Sequence, residues 1–542
     1  TPKNLAPPLD ESWEKKIYEA AVGDSNSSTC TRASLPQEHL LSYTCHISTV
    51  RMADVVNSKP DFFHGEDLGQ KEPSIKLAKA QTDDHSIEDE QFKQISRRIV
   101  RKLDFTLMPI IWLLYLFNYL DRTAIAQAKL NGIEEDLNLT GAQFSTAVSI
   151  LNVGYMVMQI PSNMTLTRVR PSIYLPIWAC VWSAVSASTA AADNFGHLIT
   201  VRCLLGIAEA PFFPGVFFLL SCWYTRGELG LRMAILYSGL VVATAFSGLI
   251  AAGVFSNLDQ VRGLAGWRWL YIIIGSVNFL LSLCAVVLLP DFPESNTGSQ
   301  KWLFTEEELR VANQRLAIDR IPQESNRSVW WGFKSAVTDY RTWVFIFMLI
   351  CNHAAYGFNY FYPSIVSGFG LGSRTITLLC TAPPFLIGAI ASLFISWSSD
   401  RSNERSYHIA IPMGISVVGF VISVSTLNGP ARYVASFLYV TGCFAANGLV
   451  YSWAAGVLNQ TPEKKAVATS MINVIAQLGN IMSPYFFRDQ DEPRYLMAMI
   501  LLIVFATLSG LTCLFLKWDL TRANNKILAE AANGTEPRLF SH

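Results

Sequence analysis

From residue 105 onward the chain is a series of unbroken apolar runs separated by short polar stretches. A helix needs about 20 apolar residues to cross the hydrocarbon core of a bilayer. The runs predict crossings at 105–127, 141–165, 171–192, 196–222, 230–255 and 267–289. A polar stretch, 290–341, follows. Six more crossings are predicted at 342–365, 375–397, 407–427, 431–457, 466–487 and 495–517. The pattern predicts an all-α membrane protein: twelve transmembrane helices in two six-helix bundles, 97–289 and 342–517. A membrane β-barrel is excluded, because barrel strands alternate polar and apolar positions and these runs do not.

The flanking segments differ in kind. Residues 1–96 are polar, rich in Ser, Asp, Glu and Lys, and without periodicity, which predicts a disordered tail. The chain opens with Thr, and its first methionine is Met52, in "MADVVNSKPDFF", so residues 1–51 read as sequence ahead of the native start. The connector 290–341 contains "KWLFTEEELRVANQRLAIDR". Thr305 and Glu308 have capping-box spacing, so a short amphipathic helix is expected there, acting as a tether between the halves. Residues 518–542 form a polar tail.

An even number of crossings puts both termini on one side. Lys and Arg in the short loops nearly balance across the membrane. The bias comes from "SRRIVRKLD" ahead of the first span and Lys517, Arg522 and Lys526 after the last. That side is therefore expected to be cytosolic, and the 129–138 loop external. Plasma membrane is the expected location and a monomer the expected state.

Composition adds the exclusions. The chain is 51% hydrophobic and 15% charged with zero formal net charge, which gives no reason to expect a nucleic-acid partner. Eight of the ten cysteines lie in apolar segments, and no Cys/His grouping has metal spacing. No nucleophile elbow, Walker loop or HExxH is present, so neither an enzyme nor a metal or cofactor is expected. Asn138-Leu-Thr140 matches a glycosylation acceptor but nearly touches the second span.

Four strings carry a resemblance. "WSSDRSNERS" (397–406) resembles the D-R-x-x-x-R loop of the major facilitator superfamily, at Asp400, Arg401 and Arg405. The equivalent loop of the first half, "PSNMTLTRVRPS", lacks the Asp and the usual glycine. "NYLDR" in span 1 and "RCLLGIAEAPFFPG" in span 4, with "GWRWLYIIIG" and "LPDFPE", resemble the anion:cation symporter family. Within it they resemble the fungal allantoate/nicotinate/pantothenate permease-like branch. The resemblance covers about residues 97–520. It implies that the helix-1 arginine, Arg122, holds the substrate anion and that the acids Asp121 and Glu209 carry the coupled proton.

The residues themselves give a partly independent argument. Charges at membrane depth cost several kcal/mol unless paired or facing water, so they are functional candidates. Asn118, Asp121, Arg122 and Ile125 are spaced to share one helix side. Arg202 and Glu209 lie two turns apart on span 4, about 10 Å of rise, with Gly206 between them expected to leave that face open. Asp121, Arg122 and Arg202 are expected in the outer half and Glu209 near the middle, so that the span-1 pair lines an aqueous cavity with partners on span 4. Arginine presents a planar donor fork to a carboxylate. A carboxylate in a poorly hydrated cavity holds its proton more readily, and a neighbouring Arg opposes this. A closed ion-pair network that only fixes helix packing is the plain alternative.

In the second half, Tyr356 and Tyr360 of span 7 could face a planar substrate. Asn447 of span 10 and Asn473, Gln477 and Asn480 of span 11 form polar positions that suit a cavity or interhelical hydrogen bonds. His353 is a titratable candidate, read as packed. Pro211, Pro214 and Pro383–Pro384 should bend their helices. The expected function is proton-coupled uptake of a small organic anion by alternating access. The rivals are an exporter of a secondary metabolite or drug and a non-transporting nutrient receptor. Span 5 lacks the Gly-Pro pair that family exporters usually carry, and the connector is short for a receptor.

Overall fold

The computed structural model describes residues 72–166, 169–295, 297, 299–319, 328–402 and 404–531. The expectations for residues 1–71, for Arg168 and for 532–542 lie outside the described residues. The described residues up to 82 and those from 83 onward belong to separate units. The account below concerns the second.

The elements are helical and follow the apolar runs. In the first half they are α1 (Glu72–Leu130), α2 (Gly141–Leu166), α3 (Pro171–Ser188), α4 (Phe195–Glu209), α5 (Phe212–Ser221), α6 (Arg226–Leu258) and α7 (Gly266–Leu288). The connector holds α8 (Glu306–Asp319) and α9 (Val329–Thr338). The second half comprises α10 (Tyr340–Tyr356), α11 (Tyr362–Ser367), α12 (Arg374–Ser402), α13 (Ser406–Ser425), α14 (Gly429–Val457), α15 (Pro462–Met482) and α16 (Leu496–Ala531). Span 4 is α4 plus α5, broken at Ala210–Pro211, where proline cannot donate to the helix ladder. Span 7 is α10 plus α11, joined by a tighter 3₁₀ turn over Gly357–Phe361.

Among the described residues, eleven helices are long and apolar enough to cross a membrane. The twelfth predicted crossing, α2, is 26 residues long and is not among those eleven. Two of its serines bond the second half. Ser145 Oγ donates to Pro484 O at 3.0 Å and Ser149 Oγ to Ile481 O at 2.8 Å.

The first helix corrects one expectation. It begins at Glu72, so residues 72–96 are helical and not a disordered tail. An apolar stripe explains why it persists in the second unit. Phe92, Ile95, Ile99 and Leu103 recur at helical spacing, with Ile99 and Leu103 fully buried. The connector helix is capped as predicted, with Thr305 N donating to Glu308 Oε2 at 2.9 Å and Glu308 N to Thr305 Oγ1 at 3.3 Å. It docks on the first half through Glu308–Lys102 (2.7 Å) and Arg315–Glu228 (2.5 Å).

Gly206 does not leave a face open. It is where α2 and α4 touch backbone to backbone. A Cβ there would stand 2.0 Å from Leu151 O and 3.0 Å from Tyr155 N, and one at Gly154 would stand 2.5 Å from Cys203 O. Small residues at such a crossing let membrane helices pack by close van der Waals contact. Gly206→Val should therefore cost at least about 1–3 kcal/mol by overpacking. A clearly lower unfolding midpoint in detergent is the expected readout; an unchanged midpoint would mean the helices can part freely here.

At the Leu130 end of α1 a set of contacts joins the two halves. Lys129 at the end of α1 bonds Glu134 at 3.1 Å and reaches Asp489 of the second half at 3.3 Å. Its ammonium lies over the rings of Phe144 and Phe361, one from each half. Tyr485 OH donates to Thr146 Oγ1 at 3.1 Å, and Ser256 meets Thr375 at 3.2 Å. With the α2 serines, these bonds seal the two halves along that rim.

Candidate functional site

The site is built near the C-terminal end of α1. Arg122 Nε donates to Glu209 Oε2 at 2.6 Å. Glu209 is the last residue of α4, just before the break that Pro211 imposes, and its side chain is fully buried. Arg122 keeps 16% of its side-chain surface open, so the guanidinium edges an accessible space while its partner does not. The bond to Glu209 uses Nε, and Tyr155 also lies within hydrogen-bonding reach of the guanidinium.

Aromatic rings enclose the cation. The Arg122 guanidinium carbon stands 4.7 Å from the Tyr155 ring centroid and 5.3 Å from that of Tyr119. Tyrosine faces attract a cation at such distances. Tyr360 borders Arg122 and lies beside Asn152, and Tyr237, Tyr356 and Tyr451 lie within electrostatic range of Tyr119. Tyr356 packs edge-on against Phe444 at 5.9 Å. The predicted pair Tyr356 and Tyr360 thus belongs to a larger cage drawn from both halves. Tyr119, Tyr155, Tyr237, Tyr451 and Asn152 were not among the sequence candidates. Tyr119 lies three residues before Arg122, and that spacing was the available signal.

Two expectations about the charges change. Arg122 meets Glu209 directly, which sets at one depth two residues expected in the outer half and near the middle. Asp121 does not share the cavity face with Arg122. Neighbouring residues on a helix point about 100° apart. Asp121 is fully buried toward α3 and α7, accepting from Ser186 Oγ at 2.5 Å and Asn278 Nδ2 at 3.5 Å. Arg202, 1% exposed, donates to Ala147 O at 3.4 Å and stands within electrostatic range of both Asp121 and Glu209. The cluster is therefore two arginines and two carboxylates, formally neutral. It is incompletely bonded: Glu209 Oε1, Arg202 Nη1, Asn118 Nδ2 and Asn152 Nδ2 are buried and have no hydrogen-bond partner among the described residues. Buried polar atoms without partners are costly, so four together mark a place that can take water or a polar ligand.

The other candidates are placed as follows. Asn473 accepts from Tyr451 OH at 3.2 Å, which ties span 11 to the cage. Gln477 accepts from Asn480 at 2.8 Å along its own helix. Asn447 lies beside His353, whose Nδ1 meets Ala476 O at 3.0 Å, so this histidine is packed between neighbours. In the loop between α12 and α13, Arg405 pairs with Asp400 at 3.0 Å and reaches Ser452 of α14, while Arg401 lies 5.7 Å from the Trp397 ring centroid. The first half lacks that loop's acid. There Asp104 of α1 takes its place as an anchor, held by Arg232 of α6 at 2.7 and 3.1 Å and by Tyr224 OH at 2.8 Å. Among the described residues, no group of three His, Cys, Asp or Glu could hold a metal ion.

Two helical bundles, with a charged site near the C-terminal end of the first helix, are matched at the sequence level. Residues 111–484 match the Major Facilitator Superfamily. The chain belongs to that superfamily. It is 30% identical to the MFS-type transporter cnsO of Penicillium expansum over 79% of this chain and 84% of that protein. It is 32% identical to the major facilitator-type transporter hxnP of Emericella nidulans over 75% of this chain and 82% of that protein. Among solved structures, it resembles a bacterial homologue of the human lysosomal transporter Spinster, in an inward-facing and unoccupied conformation. That match has a TM-score of 0.61 and 15% identity, over 75% of this chain and 96% of that one. This facilitator protein is thus a multi-pass membrane transporter.

Proposed function

We propose that this transporter is a proton-coupled symporter of the anion:cation type. It takes up a small organic carboxylate at the plasma membrane, with both termini cytosolic. The observation that carries the reading is the Arg122–Glu209 pair, open on the arginine side and sealed on the acid side. A carboxylate entering the tyrosine cage meets the free edge of a guanidinium, which suits a bidentate contact. The resident cluster of Asp121, Arg122, Arg202 and Glu209 is neutral before the anion arrives and carries one excess negative charge afterwards. An uncompensated charge in a dry site costs several kcal/mol. One proton on Glu209 restores neutrality. Substrate and proton thereby favour each other's binding, which is the requirement for symport. Nicotinate, allantoate and pantothenate are the first acids to try.

The contacts that join the halves at the Lys129 rim support a state whose access is from the opposite side. Uptake of labelled organic acids into right-side-out vesicles tests the reading. An inward proton gradient should drive accumulation, and a protonophore should abolish it. Accumulation against an outward gradient would instead identify an exporter, and binding without translocation a receptor.

A further inference from the structure

Arg432 of α14 is a buried cation that the transport site does not use. It is 0% exposed and stands near the start of its helix, where the helix dipole disfavours positive charge. Its Nη2 donates to Pro493 O at 3.1 Å, in the loop that carries Asp489. Its guanidinium carbon lies 4.9 Å from the Phe369 ring centroid. Nε and Nη1 are buried with no hydrogen-bond partner among the described residues. The charged group within electrostatic range is Arg494, of like sign, whose own Nε and Nη2 donate to Val424 O at 3.1 and 2.5 Å. The acids of that loop are engaged elsewhere or stand apart. Asp489 pairs with Lys129, and Glu492 accepts from Tyr495 OH. Asp491 makes no ion pair with either arginine among the described residues.

Two further donors without partners belong to the same region. Tyr439 is 0% exposed and within electrostatic range of Arg432, and its phenol has no partner among the described residues. The antiparallel helices α13 and α14 touch closely: Ser416 Oγ reaches Tyr439 O at 3.3 Å, and a Cβ at Gly419 would stand 2.9 Å from Ala435 O. One turn further along that register, Ser423 falls opposite Arg432. Ser423 Oγ is likewise buried without a partner. Guanidinium, phenol and hydroxyl can all donate. A buried cation without a counter-charge costs several kcal/mol. Water could accept from these donors but would leave the charge in place.

We propose that Arg432, Tyr439 and Ser423 form a binding site for a halide, chloride in the first instance, within the second bundle. Because the donors are shut off from solvent, a monoatomic anion suits the site and an organic acid does not. A bound halide neutralises Arg432 and so stabilises the seating of the Pro493 loop on α14. The site is independent of the reading of Arg122.

The purified protein, in detergent and sodium gluconate, is titrated with sodium chloride at constant ionic strength. The unfolding midpoint should rise saturably by about 3 °C or more, with bromide able to replace chloride and sulfate not. Arg432→Gln keeps a donor for Pro493 O and removes the charge. Its midpoint should ignore chloride and lie no lower than that of the wild type in gluconate. Tyr439→Phe should need severalfold more chloride for half of the rise. The response should persist in Arg122→Lys. A wild-type midpoint indifferent to chloride overturns the site. So does a response intact in Arg432→Gln, above all with a midpoint lowered equally in both salts, which would make Arg432 a strut for the loop. A response lost in Arg122→Lys but kept in Arg432→Gln would put the halide in the transport site instead.

Discussion

Glu209→Gln is expected to lower net, gradient-driven uptake at least about tenfold while leaving exchange of internal for external substrate in place. The reason is charge arithmetic at the buried cluster. With glutamine, the cluster carries one excess positive charge when empty and none when the anion is bound. The loaded carrier then needs no proton to be neutral, so it can still reorient. The empty carrier must reorient with an uncompensated buried cation beside the tyrosines, and that step limits net flux. Paired measurements on one preparation decide it: accumulation under a proton gradient, and counterflow at equal pH. Loss of both, with folding and binding intact, would make Glu209 a packing residue and remove the basis for coupling. Asp121→Asn is the informative comparison. Asp121 is held by Ser186 and Asn278 away from the cage, so a stability defect is expected to accompany any transport defect there.

Arg122→Lys should reduce uptake by about ten- to a hundredfold in a protein that still reaches the membrane. Lysine keeps the charge that Glu209 requires, so the fold should tolerate it. It cannot bond Glu209 and present a planar pair of donors to a second carboxylate at once. Hydrogen bonds to charged groups are each worth about 1.5–3 kcal/mol, and losing one such contact gives the stated range. The loss should appear as weaker substrate binding. Near-normal uptake by the lysine variant would show that no substrate carboxylate sits on the guanidinium fork.

The crossings were legible because lipid imposes a simple rule, about 20 apolar residues in a row. The charges were legible as exceptions to that rule, and Arg122 and Glu209 were both named from it. A partner on span 4 was expected for the span-1 charges, but which residue meets which was not legible, because it depends on how α1 crosses α4. Asp121 was misjudged by grouping it with its neighbour, although adjacent helical residues diverge. The cage residues Tyr119, Tyr155, Tyr237 and Tyr451 were invisible for another reason: a tyrosine in an apolar run reads as packing until helices from two bundles bring several together. Gly206 was read as vacant space because a sequence shows a missing side chain, not the backbone that fills its place.

The serines of α2 bear on how the protein is made. A nascent chain offers its helices to the insertion machinery one at a time. α2 is inserted early, yet its Ser145 and Ser149 bond the carbonyls of Pro484 and Ile481. Those partners are synthesised more than 300 residues later. Biogenesis therefore has a waiting period, during which these two hydroxyls lack their final acceptors. A chain cut short before α15 should be an early target of membrane quality control, even with its entire first bundle translated.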